Sequence, residues 1–127
     1  MQLEKNFKLV EFACKDGTSV PEELMDNVKL LAKNLQVIRD YIESPLVIIS
    51  GYRSKKYNTR IGGARRSQHM LAKAGDLKSY LHTPPQLKEI IEKLIKDGKI
   101  MKGGVGLYNT FVHYDVRGRN ARWRKIR

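Results

Sequence analysis

Ser67-Gln68-His69-Met70-Leu71-Ala72-Lys73-Ala74-Gly75-Asp76 is the stretch on which the reading of this chain turns. It sets a histidine seven residues ahead of an aspartate, where a loop passes into a strand. A second imidazole stands in Phe111-Val112-His113-Tyr114-Asp115-Val116, a β-branched and aromatic run that reads as a strand. Strand side chains alternate between faces. Phe111, His113 and Asp115 therefore point one way, and Val112, Tyr114 and Val116 the other. Ala74 and Asp76 share a face of their own strand. If the two strands pair, His113 and Asp76 point into one groove, and His69 folds over from the preceding loop to meet them.

The flanking elements supply a scaffold. Ser19-Val20-Pro21-Glu22-Glu23 reads as a helix start, with Ser19 as N-cap, Pro21 in the first turn and both glutamates at the positive end of the dipole. Val28, Leu31, Leu35, Ile38 and Ile42 recur at three and four residues, one apolar stripe on a long helix. Ser44-Pro45 breaks it, and Leu46-Val47-Ile48-Ile49-Ser50 reads as a buried strand. Residues 51 to about 68 show neither helical nor strand period and are expected to be a long loop. A strand over Ala74 to Tyr80 follows, then a helix from Thr83-Pro84-Pro85 with Leu87, Ile90, Ile91, Leu94 and Ile95 on its apolar face and Gly98 at its end. Gly103 to Tyr108, the turn Asn109-Thr110 and Phe111 to Val116 read as a hairpin. The expected fold is α+β: a small antiparallel sheet carrying a metal site, packed against two main helices, in one domain over residues 1–127.

Bulk properties narrow the function classes. No apolar run approaches the roughly 20 residues that span a bilayer. Met1 to Asn6 has no apolar signal-peptide core, so work outside a cell calls for host lysis or a specialised export route. One cysteine, Cys14, allows no internal disulfide and reads as structural. The net charge of +12, from 25 Lys+Arg against 13 Asp+Glu, favours a polyanionic partner such as nucleic acid, teichoic acid or an anionic membrane surface. It is densest over Arg53 to Arg66 and over Arg117 to Arg127. Such runs also read as a solvated face.

Two imidazoles and a carboxylate with an open fourth position suit a catalytic zinc ion, which acidifies a bound water toward neutrality. His ligands usually give their other ring nitrogen to a partner, and Asp115 is one candidate. Taken alone, the spacing is weak evidence for a metal, and the histidines read more readily as ordinary polar or packed side chains.

Ser67-x-His69-x-x-Ala72-x-Ala74-x-Asp76 resembles the zinc-ligand signature of the zinc D-Ala-D-Ala carboxypeptidase family. Those peptidases act on bacterial cell-wall peptides and share a metal-site plan with lysostaphin-type enzymes and the hedgehog signalling domain. Ser50-Gly51-Tyr52-Arg53-Ser54, Asn58, Gly62-Gly63-Ala64 and Ser67-Gln68-His69 follow in the order that family shows. Gly104 to Tyr108 and Phe111 to Arg117 resemble its closing hairpin, and Phe7 to Phe12 and Ala121-Arg122-Trp123 are also similar. The resemblance covers nearly the whole chain and is nearest to the short members common in phages and bacteria.

It implies one zinc ion held by His69, Asp76 and His113. It implies that Arg53 binds substrate and stabilises the developing oxyanion, and that Ser67 bonds substrate or orients a ligand. The chain departs from the family in two places. Many members have Gly where Ala72 stands. Relatives often supply a Glu or His base shortly before the last ligand, where this chain has Thr110, Phe111 and Val112. Asp115 is then the candidate for general base or supporting carboxylate, with His82 an outside candidate. The implied function is hydrolysis of a peptide bond in peptidoglycan stem peptides, by a monomer acting at the bacterial cell wall in phage lysis or from a virion. Anionic wall polymers are a further expected partner. Two alternatives stand beside it: an inactive relative serving as a structural or wall-binding module, and, more weakly, a nucleic-acid-binding protein stacking bases on Trp123, Tyr52, Tyr57 and Tyr108.

Overall fold

In the computed structural model, residues 1–126 are described; Arg127, the end of the basic tail, lies outside them. Strand β1 (Gln2–Glu4) pairs with β2 (Phe7–Lys8) in a small antiparallel hairpin at the N-terminus. The apolar stripe then forms α1 (Met25–Ile42), with Val28, Leu31, Leu35 and Ile38 fully buried. The helix starts later than the Ser19 cap predicts. Pro21 is held extended and Glu22–Leu24 make a 3-10 turn, so the α-helical ladder begins only at Met25. At the other end Glu43 takes the left-handed conformation, and the chain leaves through Ser44-Pro45 into β3 (Leu46–Ser50).

The segment expected to be loop contains α2 (Lys55–Arg60), capped by Ser54 Oγ, which accepts from Tyr57 N at 3.1 Å. Six residues are too few to show a helical period, and the cap was the one sequence signal for it. Next come β4 (Ala74–Ser79) and α3 (Pro84–Lys96). Thr83 and Gln86 close a capping box at the start of α3, and Pro84 follows the cap. Strands β5 (Gly104–Tyr108) and β6 (Val112–Asp115) form the expected hairpin. The basic tail is also a strand, β7 (Ala121–Lys125), which the charge run concealed.

The α+β class holds, with the main sheet ordered β3-β4-β6-β5-β7. Its first four strands are antiparallel neighbours, and β7 joins the edge parallel to β5. One face packs into the core: Leu77, Val105, Val112 and Tyr114 lie with Leu31, Leu35 and Ile38 of α1 and Leu87 and Ile91 of α3. Each such side chain contributes about 2 kcal/mol by leaving water. On the other face, one register row crosses every strand. Ser50 lies opposite Asp76, Asp76 opposite His113, His113 opposite Gly106, and Gly106 beside Trp123. No helix among the described residues is long and apolar enough to cross a membrane.

Candidate metal centre

Register alone brings two of the three candidate ligands together. Asp76 and His113 are direct partners across β4 and β6, so their side chains leave the same face side by side. His69 arrives differently. It sits on a 3-10 turn, Gln68–Leu71, not in an open loop. Ser67 Oγ caps that turn by accepting from His69 N at 3.1 Å, and Ala72 ends it with φ of 56°. The His69 carbonyl accepts from Arg53 N, tying the turn to the segment after β3.

The hydrogen-bond partners assign both imidazole tautomers. His69 Nδ1 lies 2.7 Å from the Gly51 carbonyl, which can only accept, so Nδ1 carries the proton and Nε2 the lone pair. His113 Nε2 lies 2.7 Å from Asp115 Oδ2, so there the lone pair is left on Nδ1. Both lone-pair atoms face Asp76 Oδ1, each at 3.2 Å. His69, Asp76 and His113 are all buried, and their three ligand atoms lie within 4.8 Å of one another. Two imidazole lone pairs and a carboxylate oxygen cannot satisfy each other. They need protons or a cation between them, and imidazole with carboxylate fits zinc. The residues therefore fit a metal ion.

The electrostatics agree. Burial raises the Asp76 carboxyl, but the two imidazoles, which donate to it whenever these nitrogens are protonated, outweigh that and hold the group well below the usual carboxylate range. Burial lowers the His69 imidazole despite the pull of Asp76. At His113 burial acts in the same direction, but Asp115 and Asp76 together overcome it and raise the imidazole.

Arg53 braces the second oxygen of Asp76, Nη2 to Oδ2 at 3.1 Å. Its Nε donates to Ser50 Oγ and its Nη1 to Asn58 Oδ1. A guanidinium has five N–H groups, of which these partners engage three, and Arg53 lines the cleft. Asp115 has no such freedom. It is fully buried, with Oδ1 accepting from Gly104 N, Arg117 N and Arg117 Nε, and Oδ2 from His113 and Arg117 Nη2. Ser67 lines the cleft beside His69. His82 stands elsewhere, bonded to Ser79 Oγ through Nδ1, and does not reach this cleft. Cys14 is buried, with Ser54 Oγ 4.0 Å from its sulfur.

The metal ligands open into a cleft of about 470 Å³. One wall is aromatic. Tyr108 and Phe111 stack with ring centres 4.3 Å apart, and Trp123 lies 4.8 Å from the His113 ring. Trp123 Nε1 donates to Tyr108 Oη at 3.0 Å. Gly106 is required here, because a Cβ at that position would stand 2.2 Å from Trp123 Nε1. Sequence reasoning gave Tyr108 and Trp123 no role but base stacking, and quoted Ser50, Gly51, Gly106 and Arg117 for the resemblance without reading them as supports. A backbone carbonyl leaves no signal in a sequence. Arg117 does leave one, since it stands two residues after Asp115.

A family model described as Peptidase M15 matches residues 5–115. The match includes all three candidate ligands and stops before β7. No curated protein matches the chain.

Proposed function

The chain belongs to the peptidase M15 family of metallopeptidases, and from that premise we propose that it hydrolyses a peptide bond in the stem peptides of bacterial peptidoglycan. The observation that carries this reading is the convergence of His69 Nε2, His113 Nδ1 and Asp76 Oδ1, each histidine held in the tautomer that leaves its lone pair for a metal. We take the ion to be a single zinc held by His69, Asp76 and His113. When bound, zinc supplies a Lewis acid for the scissile carbonyl and lowers the pKa of water.

The chain's own residues do the positioning. The two N–H groups of Arg53 that its partners leave over donate to the substrate, either to a carboxylate or to the oxygen that gains charge in the transition state. A donor already fixed by Asp76, Ser50 and Asn58 needs no reorganisation when that charge appears. Ser67 holds the His69 turn and offers its hydroxyl to the substrate side of the cleft. Asp115, with both oxygens filled, keeps the proton on His113 Nε2 and acts as a positioning carboxylate. The site of action is then the bacterial cell wall, reached through phage lysis or from a virion, with the basic surface adhering to anionic wall polymers. The working unit is a monomer.

One observation favours a second reading. Apart from the three metal ligands, no carboxylate or imidazole lines the cleft among the described residues. A metal-holding relative without turnover, serving as a wall-binding module, has that composition.

Mass spectrometry of defined muropeptides separates the two. Cleavage that chelator abolishes and added zinc restores is the expected result, and the fragment masses name the bond. Zinc-loaded protein that leaves every stem peptide intact overturns the peptidase reading in favour of the inactive one.

A further inference from the structure

Among the described residues, four cations line the cleft: Arg53, Arg66, Arg117 and Lys125. Two of them are committed. Arg53 is bound by Asp76, Ser50 and Asn58, and Arg117 grips Asp115 with two nitrogens while its guanidinium lies 5.6 Å over the Trp123 ring. Arg66 and Lys125 take part in no ion pair among the described residues. Asp76 is the one acidic lining residue among the described residues, and its two oxygens already face Arg53 and both imidazoles. A divalent cation between the ligands adds further positive charge to the same space. A cleft with unopposed charge of one sign concentrates ligands of the other.

The two uncommitted cations come from separate parts of the fold. Arg66 belongs to the connection from α2 to the His69 turn. Asn58 holds that connection by donating to the Ala64 carbonyl at 2.9 Å, and it also accepts from Arg53. Lys125 stands on β7 at the far edge of the sheet, paired in register with Tyr108. Trp123, laid across Gly106 and bonded to Tyr108, fixes that strand against the cleft. The connection carrying Arg66 is tied through Asn58 to Arg53, just after β3, and Lys125 stands on β7; β4 and β6, which carry Asp76 and His113, lie between β3 and β7 in the strand order.

We propose that Arg66 and Lys125 form two anion subsites flanking the metal ligands, so that the cleft takes a peptide carrying a carboxylate on each side of the scissile bond. The inference rests on the peptidase reading for the scissile bond and deepens it by naming the class of substrate. Each subsite is solvated, so each contributes a modest factor, about fivefold in affinity.

The test uses zinc-loaded protein and three peptides whose scissile amide is replaced by an uncleavable ketomethylene group. One peptide keeps both flanking carboxylates, the second has the N-terminal-side carboxylate amidated, and the third the C-terminal-side one. Binding is read by calorimetry and by the fluorescence of Trp123, the chain's sole tryptophan, which lines the cleft. Each amidation weakens binding to the wild type about fivefold. Arg66→Met makes binding indifferent to one amidation and Lys125→Met to the other, with zinc content kept at one equivalent. Lys125→Arg retains the wild-type preference. Wild-type affinity that ignores both amidations overturns the proposal, as does unchanged discrimination in both methionine variants. Carboxylate-dependent binding without cleavage of the parent amides removes the peptidase reading and leaves the subsites. Cleavage indifferent to amidation does the reverse.

Discussion

His69 and His113 face the same carboxylate oxygen at the same distance, 3.2 Å, yet unlike parts of the chain hold them. His113 stands in the middle of the sheet, between β4 and β5, with a buried carboxylate behind it and an arginine behind that. His69 stands on one turn of 3-10 helix, backed by a carbonyl and capped by a serine. A strand fixes its residue through hydrogen bonds on both sides, and a turn does so through its caps. The charge behind the ring also differs. Asp115 raises the basicity of His113, whereas the Gly51 carbonyl holds His69 without a full charge. The pair therefore combines a rigid, proton-avid ligand with a neutral one whose placement depends on local capping.

Removing each imidazole tests that contrast most strongly. His113→Ala and His69→Ala both reduce zinc affinity by on the order of a hundredfold or more, measured by competition with a chromogenic chelator. Their effects on folding differ. His113→Ala leaves Asp115 short of a partner in the interior and lowers stability by about 3 kcal/mol in urea unfolding. His69→Ala leaves only the Gly51 carbonyl and costs about 1–2 kcal/mol. Equal losses would break the comparison.

Asp115→Asn keeps the shape and removes the charge behind His113. Zinc affinity falls about 10- to 100-fold, with the same chelator competition as readout. A proton-accepting role would instead leave affinity intact and reduce only turnover.

The pH response carries the same signature. His113 is raised above the ordinary imidazole value, so in the metal-free protein it still holds its second proton where a free imidazole has lost it. Zinc must displace that proton. Affinity therefore strengthens as pH rises toward the raised His113 value, by up to about tenfold per unit, and levels off above it. Calorimetric zinc titrations in buffers of different ionisation heat count the released proton. His113→Ala should remove this proton, while His69→Ala should keep it.

Smaller effects sharpen the turn side. Ser67→Ala removes the cap on the His69 turn, lowers stability by about 1 kcal/mol and weakens zinc binding a few-fold. Ala72→Gly relieves a left-handed residue but gives up a buried methyl and loosens the unfolded chain. These terms nearly cancel, and a thermal melt should shift by no more than a few degrees.

Much of this was legible in the primary structure because the signals were local. The stripe from Val28 to Ile42 made α1, and the face shared by His113 and Asp115 followed from strand alternation. The spacing in Ser67 to Asp76 carried two candidate ligands. Other elements were hidden for stated reasons. Helix α2 was too short to show a period. Strand β7 alternates basic residues with Trp123, and its pairing is parallel to β5, a partner no turn announces. The start of α1 moved because Pro21 and the 3-10 turn after it postponed the helical ladder.

The chain by itself determined the residue types, the strand faces and the fact that His69, Asp76 and His113 were available as a set. Tertiary structure decided what those residues can do. Register put Asp76 opposite His113, and the Gly51 carbonyl and Asp115 chose the tautomers. The five hydrogen bonds that close Asp115 in separate it from the solvent side of the site. The parallel edge strand brought Trp123 and Lys125 to the cleft. The physical reason is range. Alternation and helical period act over a few residues and can be read along the chain. The proton's position on His69 depends on a carbonyl 18 residues away, and the bracing of Arg53 on a carboxylate 23 residues away.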